Sequence, residues 1–247
     1  MGDLEGYRRR LAEFQRGFAR SFGYEMDDPF DDICAMLAGG RAFSYSRFGD
    51  GEFKAVFGAE GANCDGHRFY PDLGRRLTEI LASKPDYTLG LLPQAVRVHG
   101  TERILALSGG IRWVLANSLH LALLDGRLGA FFEALDGSRV LLVGPQHLRE
   151  FTQSRGWEYV QVPSRDCWTR YEDVCQRTGD SLAESGDVVL FCASMMSNVI
   201  IDDLHHSAAA NTYIDVGSVF DPFCGINSRA YHDALDVDTL RVLNGPR

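Results

Sequence analysis

The chain lacks the sequence patterns that identify the commonest nucleotide-dependent enzymes and hydrolases. It has no Gly-x-x-x-x-Gly-Lys-Ser/Thr loop, no Gly-x-Gly-x-x-Gly after a predicted strand and no Gly-x-Ser-x-Gly elbow. The first two patterns hold phosphates against backbone amides, and the third presents a nucleophilic serine. Their absence argues against a P-loop NTPase, an ordinary NAD enzyme and an α/β-hydrolase.

Motifs for a structural metal site are also missing. None of the six cysteines belongs to a Cys-x-x-Cys pair, the spacing typical of zinc sites. Cysteines such as Cys192 lie in apolar stretches, and we expect them to be reduced and packed as small hydrophobic residues. His205 and His206 are adjacent in a predicted helix, where neighbouring side chains point in different directions. We therefore expect surface residues there rather than metal ligands.

Net positive charge and long apolar runs are absent. The formal net charge is −9, which argues against wrapping a long nucleic acid by bulk charge. No apolar run approaches the roughly 18 residues that cross a bilayer. The first residues also lack the pattern of a signal peptide. The sequence thus predicts a cytoplasmic protein without a transmembrane segment.

Apolar strand segments alternate with helical segments over most of the chain. Strands are predicted at residues 42–46, 87–92, 139–144, 159–162, 187–192 and 212–216, and residues 101–135 are predicted to be mostly helical. The alternation predicts an α/β fold with a Rossmann-like, mostly parallel sheet and helices on both faces. We expect one domain over residues 1–247, with N-terminal helices at residues 1–40 packed on it.

The most informative stretch follows the first predicted strand, where residues 47–52 are Arg-Phe-Gly-Asp-Gly-Glu. Gly49 and Gly51 allow tight turns and close approach of a ligand. Asp50 and Glu52 offer the hard oxygen ligands that Mg²⁺ and Mn²⁺ accept, and Arg47 can form a bidentate contact with a phosphate. Together they predict a loop that binds a divalent metal and a phosphorylated ligand. The alternative is a surface turn.

Small or polar residues also follow the later strands, and ligands of open parallel sheets bind beyond the carboxyl ends of the strands. Gly144 and Ser194 can bring backbone amides close to phosphates at helix N-termini. Ser164 and Asp166 can bind a base or a ribose. Trp168 can stack on a base or pack in the core.

Residues 47–52 resemble the signature of the GT-D glycosyltransferases, the DUF1792 group, whose Asp-x-Glu motif is associated with a divalent metal and a nucleotide-sugar donor. The chain is also similar to this family at three later places in the same order: Leu-Leu-Val-Gly at residues 141–144, Pro-Ser at residues 163–164 and Tyr-Ile-Asp-Val-Gly at residues 213–217. The resemblance covers most of residues 40–220 and is sharpest at its first motif.

Two positions depart from the family pattern. Members often have a histidine after the closing Asp-x-Gly, where this chain has Ser218, and Asp221 or His232 are available to replace it. A Gly-Pro-Thr type of loop is expected near Ser194, where the chain has Ala-Ser-Met at residues 193–195.

The resemblance implies a metal-dependent glycosyltransferase that moves a sugar from a nucleoside-diphosphate sugar, most simply a UDP-sugar, to an acceptor hydroxyl. Asp50 and Glu52 would hold Mn²⁺ or Mg²⁺ against the leaving diphosphate. An inverting transfer needs a base, for which Asp215 and Asp221 are candidates, although Asp215 can equally be a helix cap or a loop ligand. The predicted nucleotide-sugar contacts are Arg47, Gly49, Gly51, Gly144, Ser164, Asp166, Trp168 and Ser194.

Two rival functions use the same residues. A metal-dependent phosphohydrolase or nucleotide-sugar pyrophosphatase would put water in place of the acceptor. A non-catalytic scaffold would bind the nucleotide sugar without turnover. Acceptors compatible with the sequence are a glycan, a glycoprotein, a lipid-linked sugar or a modified base, and a homo-oligomer is equally compatible.

Overall fold

A seven-stranded sheet forms the centre of the computed structural model, which describes residues 4–229 and 232. The strands are β1 (Ser44–Phe48), β2 (Thr88–Leu91), β3 (Val114–Leu115), β4 (Val140–Pro145), β5 (Glu158–Val162), β6 (Val188–Phe191) and β7 (Thr212–Asp215). Their spatial order is β3-β2-β1-β7-β6-β4-β5, and every neighbouring pair is parallel. The strands therefore share one carboxyl edge and one amino edge, the names used below for the two ends of the sheet.

Helices cover both faces of this sheet. They are α1 (Leu4–Phe22), α2 (Phe30–Ala38), α3 (Asp50–Val56), α4 (Pro71–Ser83), α5 (Pro93–His99), α6 (Thr101–Ser108), α7 (Ser118–Leu124), α8 (Leu128–Ala134), α9 (Arg149–Ser154), α10 (Tyr171–Ser181) and α11 (Met196–Ser207). Short 3₁₀ turns at Gln146–Leu148, Cys167–Arg170 and Asp221–Cys224 follow β4, β5 and β7.

Two hydrophobic cores lie on opposite faces of the sheet. In β4, Leu141 and Val143 belong to the core beneath α4, α10 and α11, whereas Val140 and Leu142 belong to the core beneath α2, α8 and α9. Alternate residues of a strand point to opposite faces, so a strand covered on both faces is apolar throughout. This explains the apolar runs of the sequence and confirms the predicted α/β fold with a parallel sheet.

The structure corrects one local prediction and refines a second. Residues 50–52, predicted as a loop, form the first turn of α3. The stretch at residues 101–135, predicted as mostly helical, also contains the short strand β3 at the sheet edge. A two-residue strand gives no period-2 signal, which is why the sequence pattern does not show it. The single domain over residues 1–247 stays a prediction, and residues 1–3, 230–231 and 233–247 lie outside the described part.

Within the described residues, no helix combines the length and the apolar character needed to cross a membrane.

Candidate functional site

The Asp-Gly-Glu motif sits where β1 ends and α3 begins. The backbone N–H of Gly49 donates to Glu52 Oε2 at 2.7 Å, which is the glutamate half of a helix capping box. Asp50 instead accepts from Lys54 Nζ at 2.9 Å, one helical turn further on. Residues two apart on a helix do not face each other. The structure therefore turns Glu52 back towards the sheet and Asp50 towards Lys54, and their interactions diverge.

Arg47 and Asp215 form an ion pair across the neighbouring strands β1 and β7. Arg47 Nη2 lies 3.2 Å from Asp215 Oδ1, and the two side chains are 12% and 7% exposed. The N–H of Gly217 donates to the same oxygen at 2.9 Å. Gly217 has φ +58°, and a Cβ there would collide with Arg47 Nη2. The glycine of the closing Asp-x-Gly is thus required by the position of the arginine.

The carboxyl groups of Glu52 and Asp215 are both costly to ionise. Burial raises the pKa of Glu52 to about 7, and the charge of Asp215 adds to the rise, while backbone hydrogen bonds and Arg47 oppose it. Burial also raises the pKa of Asp215 despite Arg47 and the Gly217 amide. Desolvation disfavours a charged carboxylate, and such perturbed groups gather at functional sites. The charge of Asp215 thus acts on Glu52 across the site.

A divalent cation fits this site only together with a ligand. Among residues 4–229 and 232, no three His, Cys, Asp or Glu side chains are arranged to hold a metal ion. Mg²⁺ is commonly bound by one or two carboxylates while substrate phosphates and waters complete its octahedron. Glu52, with one oxygen hydrogen-bonded to the Gly49 amide, retains lone pairs for a metal. The donor set therefore suits an ion shared with phosphate oxygens and not a closed protein cage.

A buried histidine that the sequence analysis missed completes the Arg47 cluster. Arg47 Nη1 donates to His120 Nδ1 at 3.4 Å, and His120 Nε2 lies 3.3 Å from Ser218 Oγ. Arginine only donates, so Nδ1 accepts and the imidazole is neutral. Burial lowers the pKa of His120 well below its ordinary value, and Arg47 lowers it further. The histidine beside Ser218 therefore comes from α7, and the buried His232 also lowers its pKa.

A histidine–aspartate pair lies further along the carboxyl edge. His147, in the 3₁₀ turn after β4, places Nε2 2.9 Å from Asp221 Oδ1, in the turn after β7. The histidine side chain is 29% exposed and the aspartate 9%. Asp221, a predicted base, is therefore bonded to a histidine that the sequence analysis did not select.

Three of the predicted nucleotide-sugar contacts form hydrogen bonds with other residues of the protein. Asp166 accepts from the Arg68 amide at 2.9 Å, Trp168 donates to Asp72 at 3.0 Å, and Ser194 Oγ accepts from Asn63 at 3.0 Å. These bonds join residues 61–72 to the ends of β5 and β6.

The last three predicted residues are one exposed serine and two glycines that differ in how closely their surroundings pack. Ser164 is exposed. A Cβ on Gly144 would press against Leu148 and Cys192, whereas one on Gly51 would meet ordinary contacts. The described structure thus brings Arg47, Gly49, Glu52 and Asp215 together and keeps the predicted base and ribose contacts in a separate network.

Comparison with known proteins supports the fold. No protein-family model and no curated protein matches the chain. A solved structure described as the domain of unknown function 1792, with a distinct glycosyltransferase fold, matches with a TM-score of 0.59 at 17% identity, over 77% of each chain. A structure described as a new glycosyltransferase (DUF1792) from Streptococcus sanguinis matches with a TM-score of 0.59 at 18% identity, over 77% of this chain and 80% of that one. The resemblance to the DUF1792 group is thus confirmed at the level of the fold.

Proposed function

We propose that this chain, whose fold is that of DUF1792 glycosyltransferase structures, is a glycosyltransferase that uses a nucleoside-diphosphate sugar. One observation carries the proposal. Asp215, a buried carboxyl group with a raised pKa, pairs with Arg47 at the edge of a parallel sheet where ligands bind, and the charges of both residues act on the half-buried Glu52, whose pKa is also raised. A site of this kind gains free energy when a cation or a polar ligand replaces the lost water.

The donor would place its diphosphate beside Arg47 and Glu52. Arg47 is fixed by Asp215 Oδ1 and by the Ala116 carbonyl, so its guanidinium is oriented before a ligand arrives. Pre-organised positive charge stabilises a leaving diphosphate better than a mobile side chain does. Asp215 already accepts from Arg47 and from Gly217. We therefore assign Asp215 the role of positioning Arg47 and not that of the base.

The metal requirement follows from Glu52. A divalent ion such as Mn²⁺ or Mg²⁺, bound by Glu52 and by the donor phosphates, would supply Lewis-acid stabilisation of the leaving diphosphate. Asp50 is ion-paired with Lys54, so it contributes less than Glu52 unless that pair opens. A UDP-sugar is the donor to test first because the resemblance in sequence points to that class.

The experiment is a thermal-stability panel of nucleotides and nucleotide sugars, each with Mn²⁺, Mg²⁺ or EDTA. A ligand that binds only the folded state stabilises it, by about 2.7 kcal/mol at a ligand concentration of 100 times its Kd, and so raises the melting temperature. We expect a metal-dependent rise with one UDP-sugar and its loss in Glu52→Ala. Glu184→Ala, at an exposed glutamate of the amino edge, is the matched control and should keep the rise.

Product analysis then separates the three functions. Sugar linked to an acceptor identifies a transferase, free sugar or sugar phosphate identifies a phosphohydrolase, and binding without turnover identifies a scaffold. Near-wild-type transfer by Glu52→Ala would overturn the metal role, and the absence of any nucleotide-dependent shift would overturn the proposed function.

A further inference from the structure

The His147–Asp221 pair has the geometry of a base held by a carboxylate. Asp221 is nearly buried and His147 is partly exposed, with Nε2 at 2.9 Å from Oδ1. In a neutral imidazole whose Nε2 donates its hydrogen to the carboxylate, Nδ1 carries the lone pair. No described residue forms a hydrogen bond with Nδ1. The same logic orients the histidine of a Ser-His-Asp triad, where the carboxylate fixes the tautomer.

The local chain holds both partners firmly. Asp221 begins a 3₁₀ turn, and its amide donates to the Ser218 carbonyl at 3.2 Å. His147 lies in the turn that begins after Pro145. Leu148 of the same turn is buried in the core beneath α2, α8 and α9. Both turns leave the carboxyl edge of the sheet, so the imidazole is positioned by rigid elements and still faces solvent.

The pair is close enough to the Arg47 cluster to serve one ligand. It follows β4 and β7, which are separated only by β6, so their ends lie about 10 Å apart at a strand spacing of about 4.8 Å. Burial raises the pKa of the Cys192 thiol most, and the charges of Asp221 and Asp215 both add to the rise. Both carboxylates therefore lie near the same side chain, Cys192, which directly follows β6.

From this arrangement we propose that His147 is the general base of the sugar transfer and that Asp221 positions it. The assignment rests on the proposed function. The acceptor O–H proton passes to His147 Nδ1 while the acceptor oxygen forms its bond to the anomeric carbon. The bond from that carbon to the diphosphate oxygen breaks, and its electron pair leaves with the diphosphate. A base opposite the diphosphate makes the transfer inverting.

A histidine–aspartate pair at the other end of the sheet provides the matched control. His205 Nε2 lies 3.0 Å from Asp86 Oδ1, but its Nδ1 is bonded to Ser44 Oγ at 2.9 Å. Both of its nitrogens are occupied, so it has no lone pair for a substrate. A His205→Gln variant therefore removes a similar pair and leaves the proposed base intact.

The test measures transfer and donor binding in the full chain for His147→Ala, His147→Gln, Asp221→Asn and His205→Gln. We expect both His147 variants to lose on the order of 10²–10⁴-fold in kcat, the usual contribution of a general base. The KM for the donor and the ligand-induced rise in melting temperature should stay at wild-type values. Added imidazole should restore part of the activity of His147→Ala. Asp221→Asn should lower kcat with little change in KM, and His205→Gln should do neither.

Several outcomes would overturn the assignment. Wild-type kcat in a folded His147→Ala variant, absence of imidazole rescue, or a product that retains the anomeric configuration would each do so while the transferase function stands. If the wild-type protein binds no nucleotide sugar, the proposed function fails and the base assignment fails with it.

Discussion

The two edges of the sheet both carry an arginine–aspartate pair, yet the two pairs differ in the exposure of the arginine and in the length of its contacts. At the amino edge, Arg139 is 43% exposed and contacts Asp187 at 2.6 Å, Glu158 at 2.6 Å and the Ser181 carbonyl at 2.8 Å. At the carboxyl edge, Arg47 is only 12% exposed and its contact with Asp215 is longer, at 3.2 Å. At the amino edge, Arg139 links residues of neighbouring strands by short contacts. Arg47 is thus less exposed than Arg139, and its contact with an aspartate is longer.

The histidine–aspartate pairs show the same contrast. Asp86 at the amino edge is 87% exposed and His205 has both nitrogens bonded. Asp221 at the carboxyl edge is nearly buried, and among the described residues none is hydrogen-bonded to Nδ1 of His147. Similar residue pairs thus have different chemical capacity because burial and unused bonding sites differ. Substitutions at matched positions of the two edges test this difference.

The largest effect is expected from Gly217→Ala. The new methyl would enter the space of the Arg47 guanidinium at a residue with φ +58°, so it adds backbone strain and breaks the buried ion pair. We expect a loss of about 3–5 kcal/mol in the free energy of unfolding and loss of donor binding, measured by denaturant titration and thermal shift. Gly186→Ala at the amino edge has φ +86° and open space around its Cβ, so only the backbone cost of about 1–2 kcal/mol should appear. Equal losses in the two variants would contradict the difference between the edges.

Double-mutant cycles should show the next largest difference. We expect a coupling free energy of about 2–3 kcal/mol between Arg47 and Asp215, because removing either partner leaves the other buried. Between Arg139 and Glu158, which are half-exposed, the coupling should be about 0.2–1 kcal/mol. The cycles use Met for arginine, Asn for aspartate and Gln for glutamate, with unfolding followed in urea. A stronger coupling between Arg139 and Glu158 than between Arg47 and Asp215 would contradict the proposed difference between the two edges.

Glu52→Gln should change the pH dependence of stability. The pKa of Glu52 is raised from 4.5 to about 7 in the folded protein, so the stability that its protonated form provides is complete below about pH 4.5 and is lost as the pH rises through 7. Glutamine escapes this loss and still accepts from the Gly49 amide. In EDTA the variant should gain about 2–3 kcal/mol over wild type between pH 5 and pH 8.

The control for that measurement is Glu79→Gln, at an exposed glutamate of α4, which should show no such rise. A stability difference between Glu52→Gln and wild type that stays constant with pH would mean that Glu52 is not destabilised by burial.

The smallest effect is expected from Asp86→Asn. Asp86 is exposed and contacts His205 from the surface, so an exposed pair of this kind contributes little. Transfer activity and donor binding should equal those of wild type, and thermal unfolding at pH 7 should show no resolvable change. A loss of activity here would mean that the amino edge also takes part in function.

Sequence reasoning predicted the sheet and the position of the first motif because both depend on local signals. Apolar runs identify strands that are buried on both faces, and Gly49 and Gly51 indicate where strand β1 ends. It misassigned the Asp-Gly-Glu turn because glycines usually interrupt helices, whereas here Glu52 caps the start of α3.

Long-range pairs could not be predicted in the same way. His147 and Asp221 are 74 residues apart, and His120 and Ser218 are 98 apart. His120 lies in a helix whose residues are all buried, so its only signal was a polar residue within an apolar run. Asp166 was a plausible ribose contact, but its partner is the amide of Arg68, 98 residues away. The fold decides which of two plausible polar roles a side chain takes, and one sequence does not contain that choice.

The close approach of Arg47 to Gly217 has a consequence for how the chain can evolve. The guanidinium occupies the volume that any side chain at position 217 would need. A change at residue 217 can therefore be accepted only after the arginine has been shortened or lost, and the arginine can be regained only where glycine is present. The two positions are therefore coupled, and diverged lineages of this fold that keep the arginine should also keep the glycine.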